Sequence, residues 1–217
     1  MTILDALLDL ALPERRSAIA AHASRVLATQ AAPWMTTCAL VDLATALDVV
    51  GPLHTARVAR LARRTGMVLG LAPDVLETCE LGAWLHDVGK IAVPDDVLHK
   101  PGLYDDDDWR KLRVHSAIGA RILEGARGLE GALEIVLAHH EHHDGNGYPR
   151  ALAGDAIPIG ARLFTVVDSY DAMTRMGRER EWGDPCSHDA ALRELRSLAG
   201  TRYDPVAVDA FERAMLG

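Results

Sequence analysis

Residues 139–149 read His-His-Glu-His-His-Asp-Gly-Asn-Gly-Tyr-Pro, and four of the chain's ten histidines fall within five positions there. Imidazole is mostly neutral near pH 7 and is a common ligand for transition metals, so crowded histidines point to a bound ion. An exposed His-rich loop would have the same composition. A second cluster, His86-Asp87-Val88-Gly89-Lys90, together with His54, His115 and Asp168, favours a metal enzyme.

Each group also has an ordinary alternative. His86-Asp87 follows the apolar run 81–85, so the pair sits at a helix end, where it could hold a cation or serve as a cap. Lys90 would lie near the same mouth and could meet a phosphate. A lysine near a helix C-terminus is equally ordinary dipole compensation. Taken alone, His54 and His115 suit surface positions as well as ligand positions. Asp168 ends the apolar run 163–167, which delivers a carboxylate inward, and a buried carboxylate needs a cation or several donors. Asp171 reaches the same face as a supporting partner.

His139 and His140 end the apolar stretch 135–138. Neighbouring helical imidazoles do not easily chelate one ion, so the first would bind and the second reach a companion site. Glu141, His142 and His143 read as non-ligands. Residues 144–149 compose a turn, and its glycines permit close approach of a ligand to backbone N–H groups.

Helices must position these groups. Apolar residues recur at spacings of three and four through most of the chain, and no segment shows sustained alternation. The pattern predicts helices over 15–31, 39–50 and 54–66, with Gly51-Pro52 as punctuation, and another opening at Pro73. A loop is expected over 91–104. Asp105 then caps a helix with Asp108 three residues on, which makes the four-aspartate run a helix start rather than a cation site. Further helices are expected over 117–124, 129–140, 161–174 and 188–198, with a last one opening at Asp204-Pro205. The architecture is an all-α bundle with sites built between facing helices.

Bulk properties narrow the function. The 217 residues suffice for one good core, and 25% charged and 49% hydrophobic residues are ordinary for a globular chain. A net charge of −8 argues against binding long nucleic acid, although a locally positive site could take a small anion. Cys38, Cys79 and Cys186 are dispersed and suggest neither a disulfide framework nor a cysteine zinc site. No run approaches the ~20 apolar residues that span a bilayer. The expectation is a cytoplasmic protein without a membrane segment.

Taken in order, these residues resemble the HD-GYP family, the subgroup of HD-domain metallophosphohydrolases that degrade cyclic di-GMP. The likeness runs from His54 with Arg57-Val58, through LHDVGK at 85–90, Pro94 and Lys100-Pro101-Gly102, to His115 with Gly119. It continues with HHE at 139–141, DGNGYP at 144–149, Ile157-Pro158, Arg162, Asp168 and Tyr170-Asp171-Ala172-Met173-Thr174. It covers about residues 45 to 215. Residues 1–37 read as a helical extension of unassigned role, and 38–217 as the HD-GYP domain.

The resemblance implies an all-α HD-domain bundle around iron or manganese ions. One ion would be held by His54, His86, Asp87 and Asp168, and its neighbour by Asp87, His115, His139 and His140. It implies hydrolysis of cyclic di-GMP to pGpG or GMP through a metal-activated bridging hydroxide. Asp87 and Lys90 would carry the catalysis, with Lys90 on a phosphate oxygen. Gly145, Gly147, Tyr148 and Pro149 would shape the nucleotide pocket and a surface for diguanylate cyclase-type partners, and a homodimer is compatible with the family. Members with a third metal carry a glutamate four residues before the first histidine. Val50 stands there, so two divalent ions are expected. A substrate-gripping Arg-Pro-Tyr-Arg stretch is replaced by 175–180, where Arg178 is the matching cation. Alternatives are an HD phosphohydrolase acting on another cyclic dinucleotide or nucleotide, or a catalytically weak binding module.

Overall fold

The computed structural model describes residues 37, 40–42, 44–45, 53–124, 126, 128–175 and 185–216. The expected helices over 15–31 and 39–50, Val50, Arg178 and the boundary at 37/38 lie wholly or largely outside them. Among the described residues every regular element is helical. They are α1 (His54–Val68), α2 (Pro73–Leu85), α3 (Asp95–Leu98), α4 (Asp106–Leu123), α5 (Glu130–Ala138), α6 (Ile159–Arg175), α7 (His188–Ser197) and α8 (Pro205–Leu216), with 3-10 turns at Val88–Ala92 and Gly154–Ala156. The all-α bundle read from the periodicity is the observed fold. None of these helices is long and apolar enough to cross a membrane.

Local chemistry sets the starts. Leu53, in the left-handed region at φ 69°, turns the chain into α1 directly after Gly51-Pro52. Pro73 occupies the first turn of α2, where its missing N–H costs nothing. Asp105 accepts from the Asp107 and Asp108 amides, and the Asp108 carboxylate accepts from the Asp105 amide, a reciprocal cap that consumes two orphan donors. Ser187 caps α7.

Two expectations need correction. The loop over 91–104 contains the end of a 3-10 turn and the short helix α3, because Val97 and Leu98 turn inward against Tyr104 and Leu112. No break precedes residue 117. α4 runs on without interruption through Gly119, where a Cβ would meet Val136 Cγ1 at 2.8 Å, and it packs against the turn at Gly89. A Cβ on Gly89 would stand 1.9 Å from the His115 carbonyl oxygen and 2.5 Å from the Gly119 amide.

The core has two main lobes. One packs α1, α2, α6 and α8 around Val58, Ala62, Leu163, Phe164, Val167 and Phe211. The other gathers Leu85, Val88, Ile122 and Val136, with Leu40 and Ala44 laid against them. Phe164 sits at the junction, its ring centre 4.8 Å from that of His86 and 5.9 Å from that of His139. The C-terminal ends of α2 and α5 and the middle of α6 therefore meet over the same apolar floor.

Candidate metal centre

Five helices and the turn after α2 deliver the seven predicted ligands to one cavity of about 390 Å³. His54 opens α1, His86 caps α2, Asp87 enters the following turn, and His115 comes from the middle of α4. His139 and His140 follow α5, and Asp168 faces in from α6. Within this cavity the side chains fall into two groups. Ligand atoms of His54, His86 and Asp168 lie within 4.8 Å of one another, as do those of His115, His139 and His140. Asp87 stands between the groups, with Oδ2 3.1 Å from His86 Nε2 and Oδ1 3.7 Å from His115 Nε2.

The imidazoles are oriented from behind. Nδ1 donates to the Ala83 carbonyl from His86 at 2.9 Å, to Leu112 from His115 at 2.7 Å, and to Val136 from His139 at 2.7 Å. His54 Nδ1 donates to Asp171 Oδ2 at 2.8 Å, and Arg57 grips the same carboxylate through Nε and a terminal nitrogen at 2.7 Å each. Carbonyl and carboxylate oxygens only accept, so these bonds place each proton on Nδ1 and turn each Nε2 toward the cavity. Asp171 is thus the supporting partner the sequence suggested.

Electrostatics agree with a cation site. Burial pushes His115 down to about 4 and His139 down to about 3, the second aided by the charges of His115 and His86. Burial and the neighbouring His139 hold His140 well below the ordinary range. His86 moves upward: burial opposes its charge, but the Asp87 carboxylate outweighs burial. Asp87 stays well below the usual carboxylate range, because His86 and Lys90 overcome its burial. Asp168 falls to about 2; burial works against it, and the neighbouring His54 and His86 together overcome burial. His115, His139 and His140 kept neutral and both carboxylates kept ionised are the protonation states that divalent transition ions need, and a cation in place of the proton would satisfy His86 beside Asp87. The residues fit such ions.

The remaining predicted residues line or shape the same space. Lys90, buried in the turn after α2, places Nζ 2.5 Å from Asp87 Oδ2. Tyr148 stacks on His140 with ring centres 4.7 Å apart and 21° between planes. Gly147 lies where a Cβ would meet the His142 amide nitrogen at 2.2 Å, and Gly145 adopts φ 84°. Pro149 follows a cis bond from Tyr148. Glu141, expected to be no ligand, is buried and accepts from the Arg150 and Leu152 amides, which ties the loop to the end of α5. His142 lines the cavity without joining either ligand group.

Among the lining residues that escaped the sequence reading are Tyr104, Trp109, Arg113 and Arg202. The first three belong to α4 or its approach, and Arg202 to the turn before α8. Polar and aromatic residues at such places look like a solvated helix face. The one available signal was the register of Trp109 and Arg113, four residues apart, with His115 two further on.

The comparisons with known proteins come to the same place. The family model described as HD domain matches residues 16–206. A protein of Thermotoga maritima named cyclic di-GMP phosphodiesterase is 39% identical over 160 residues, 73% of this chain and 43% of that protein. A Vibrio cholerae protein named 3'3'-cGAMP-specific phosphodiesterase 2 is 37% identical over 158 residues, 72% of this chain and 30% of its own length. This chain thus spans less than half of the length of either relative. In fold it resembles the crystal structure of a cyclic GMP-AMP specific phosphodiesterase of V. cholerae, with a TM-score of 0.65 at 21% identity, over 82% of this chain and 48% of the other. With its helical bundle, its His86-Asp87 pair and a family match over most of its length, this chain belongs to the HD-domain family.

Proposed function

We propose that the chain is a metal-dependent phosphodiesterase that hydrolyses cyclic di-GMP to pGpG or GMP. The observation that carries this reading is the placement of Asp87 between two sets of ligands, each closed by inward-turned Nε2 atoms. His54, His86, Asp87 and Asp168 would hold one divalent ion, and Asp87, His115, His139 and His140 the other. Iron or manganese bound there would supply Lewis acidity, lowering the pKa of water and neutralising charge that develops on phosphorus oxygens.

The chain's own residues do the rest. Lys90, fixed by Asp87, offers an ammonium proton to a phosphate oxygen at the mouth of the ligand sets. Gly145, Gly147, Tyr148 and Pro149 bound the pocket for the nucleotide, and the buried Glu141 carboxylate keeps their loop seated. Arg178 and the 1–37 extension are further candidates, for substrate grip and for an appended helical segment. The names borne by relatives of 39% and 37% identity support the substrate class.

The second of those names favours one further substrate, 3'3'-cGAMP, for the same site. The test is to measure metal content and incubate anaerobically purified protein with both cyclic dinucleotides, beside Asp87→Ala. Cleavage by the wild type and its loss with metal in Asp87→Ala is expected. Full metal loading without turnover of either compound would overturn the reading.

A further inference from the structure

Arg113 sits two residues before His115 on α4 and one helical turn after Trp109. Its guanidinium carbon lies 5.8 Å from the centre of the Trp109 ring and 5.3 Å from that of Tyr148. Two other arginines beside the bundle core are engaged by carboxylates: Arg57 by Asp171, and Arg162 by Asp155 and Asp204. Among the described residues no carboxylate pairs with Arg113. Aromatic faces steady a guanidinium while leaving its in-plane N–H donors open, and that planar fork matches the two oxygens of a phosphate.

The position of Arg113 relative to the ligand sets gives this cation a purpose. Tyr148 stacks on His140 and also touches Arg113, so one ring separates the guanidinium from the ligands. Both ends open into the same cavity. A phosphodiester engaged at Lys90 and at cations in the ligand sets would leave Arg113 to meet a second anionic group of the same molecule. A simple phosphodiester has none to offer, whereas a cyclic dinucleotide carries two phosphodiesters on one ring.

We propose that Arg113, held between Trp109 and Tyr148, binds the phosphodiester of the cyclic dinucleotide that is not being cut. This rests on the phosphodiesterase reading above. The probes are cyclic di-GMP and bis(p-nitrophenyl) phosphate, a diester with a single phosphate, used with manganese-loaded wild type, Arg113→Gln and Arg113→Lys. Calorimetric binding of cyclic di-GMP is measured alongside. Loss of a charge-assisted phosphate contact predicts a rise in KM and in Kd for cyclic di-GMP on the order of tenfold in Arg113→Gln, with kcat changed far less. That rise should exceed the one for the single-phosphate diester by about the same factor, and Arg113→Lys should recover part of it. Equal effects on both compounds, or no effect on cyclic di-GMP, would overturn the role of Arg113 alone. A wild type that neither binds nor cleaves cyclic di-GMP would overturn the function reading, and this assignment with it.

Discussion

His115 and His139 face each other through their Nε2 atoms at 3.2 Å, while each ring's Nδ1 donates to its own helix. Two neutral rings in that state aim lone pairs at one another, which only a proton or a metal cation between them relieves. A proton is disfavoured, since burial lowers both groups to about 4 and about 3. The sign for the metal-free protein follows. In the unfolded chain both imidazoles take protons near 6.5, but the folded state refuses them until about 4 or below, so the unfolded state binds more protons across that window. Metal-free protein is expected to lose stability as pH falls from about 6.5 toward 4, by up to about 1.4 kcal/mol per pH unit for each group. Above pH 7 these two groups contribute no slope. Chelator-treated protein melted across pH 4–8 would show it, and a flat profile would count against the buried neutral pair.

Asp171 touches no ion site directly, yet it should control one. Its Oδ2 accepts from His54 Nδ1 and both of its oxygens are gripped by Arg57, so the carboxylate fixes the ring that opens the first ligand set. Asp171→Asn replaces one acceptor with a donor facing His54 or Arg57. Metal affinity at this set is expected to fall about 10–100-fold. Competition against a chromophoric chelator reads it, and an unchanged affinity would show that Asp171 serves the fold rather than the ligand.

Most of the bundle was legible because its cues are local. Pro73, the Asp105–Asp108 box and Asp204-Pro205 each mark a helix start within a few residues, and His86 and His139 follow apolar runs that end where the helices end. The break before residue 117 was misplaced for a non-local reason: α4 is continuous because its face at His115 and Gly119 packs against the turn at Gly89 and against Val136 of α5. The ligand set came from ordered residue types together with a family likeness, since no spacing alone brings His54 next to Asp168. Arg113 and Trp109 went unread despite their register with His115, because Tyr148, which Arg113 meets, lies on another loop and packing shows which face of α4 looks into the cavity.

The turn that carries Asp87 and Lys90 is held against α4 by the absence of a side chain at residue 89. In Gly89→Ala the added methyl meets backbone, the His115 carbonyl at 1.9 Å, and neither partner is a flexible side chain that could swing away. The turn must retreat from α4 and widen the gap between Asp87 and His115, now 3.7 Å. A loss of about 1–3 kcal/mol is expected from overpacking, together with weaker retention of metal. Denaturant melts with metal analysis check both, and a variant as stable as the wild type would mean that the contact relaxes elsewhere.

Glu141 offers the sharpest separation between ligand and loop functions. It follows His140 directly, yet its oxygens accept from the Arg150 amide at 2.7 Å and the Leu152 amide at 2.9 Å. In Glu141→Gln one acceptor becomes an NH₂ group aimed at an amide donor in a buried place, which costs about 1–3 kcal/mol for an unsatisfied group. That strain falls on residues 150–152, and through them on Tyr148 and Pro149. The expected pattern is a lower melting temperature and a higher KM for the cyclic dinucleotide, with metal content unchanged. Loss of metal in this variant would instead place Glu141 among the groups that hold the ions.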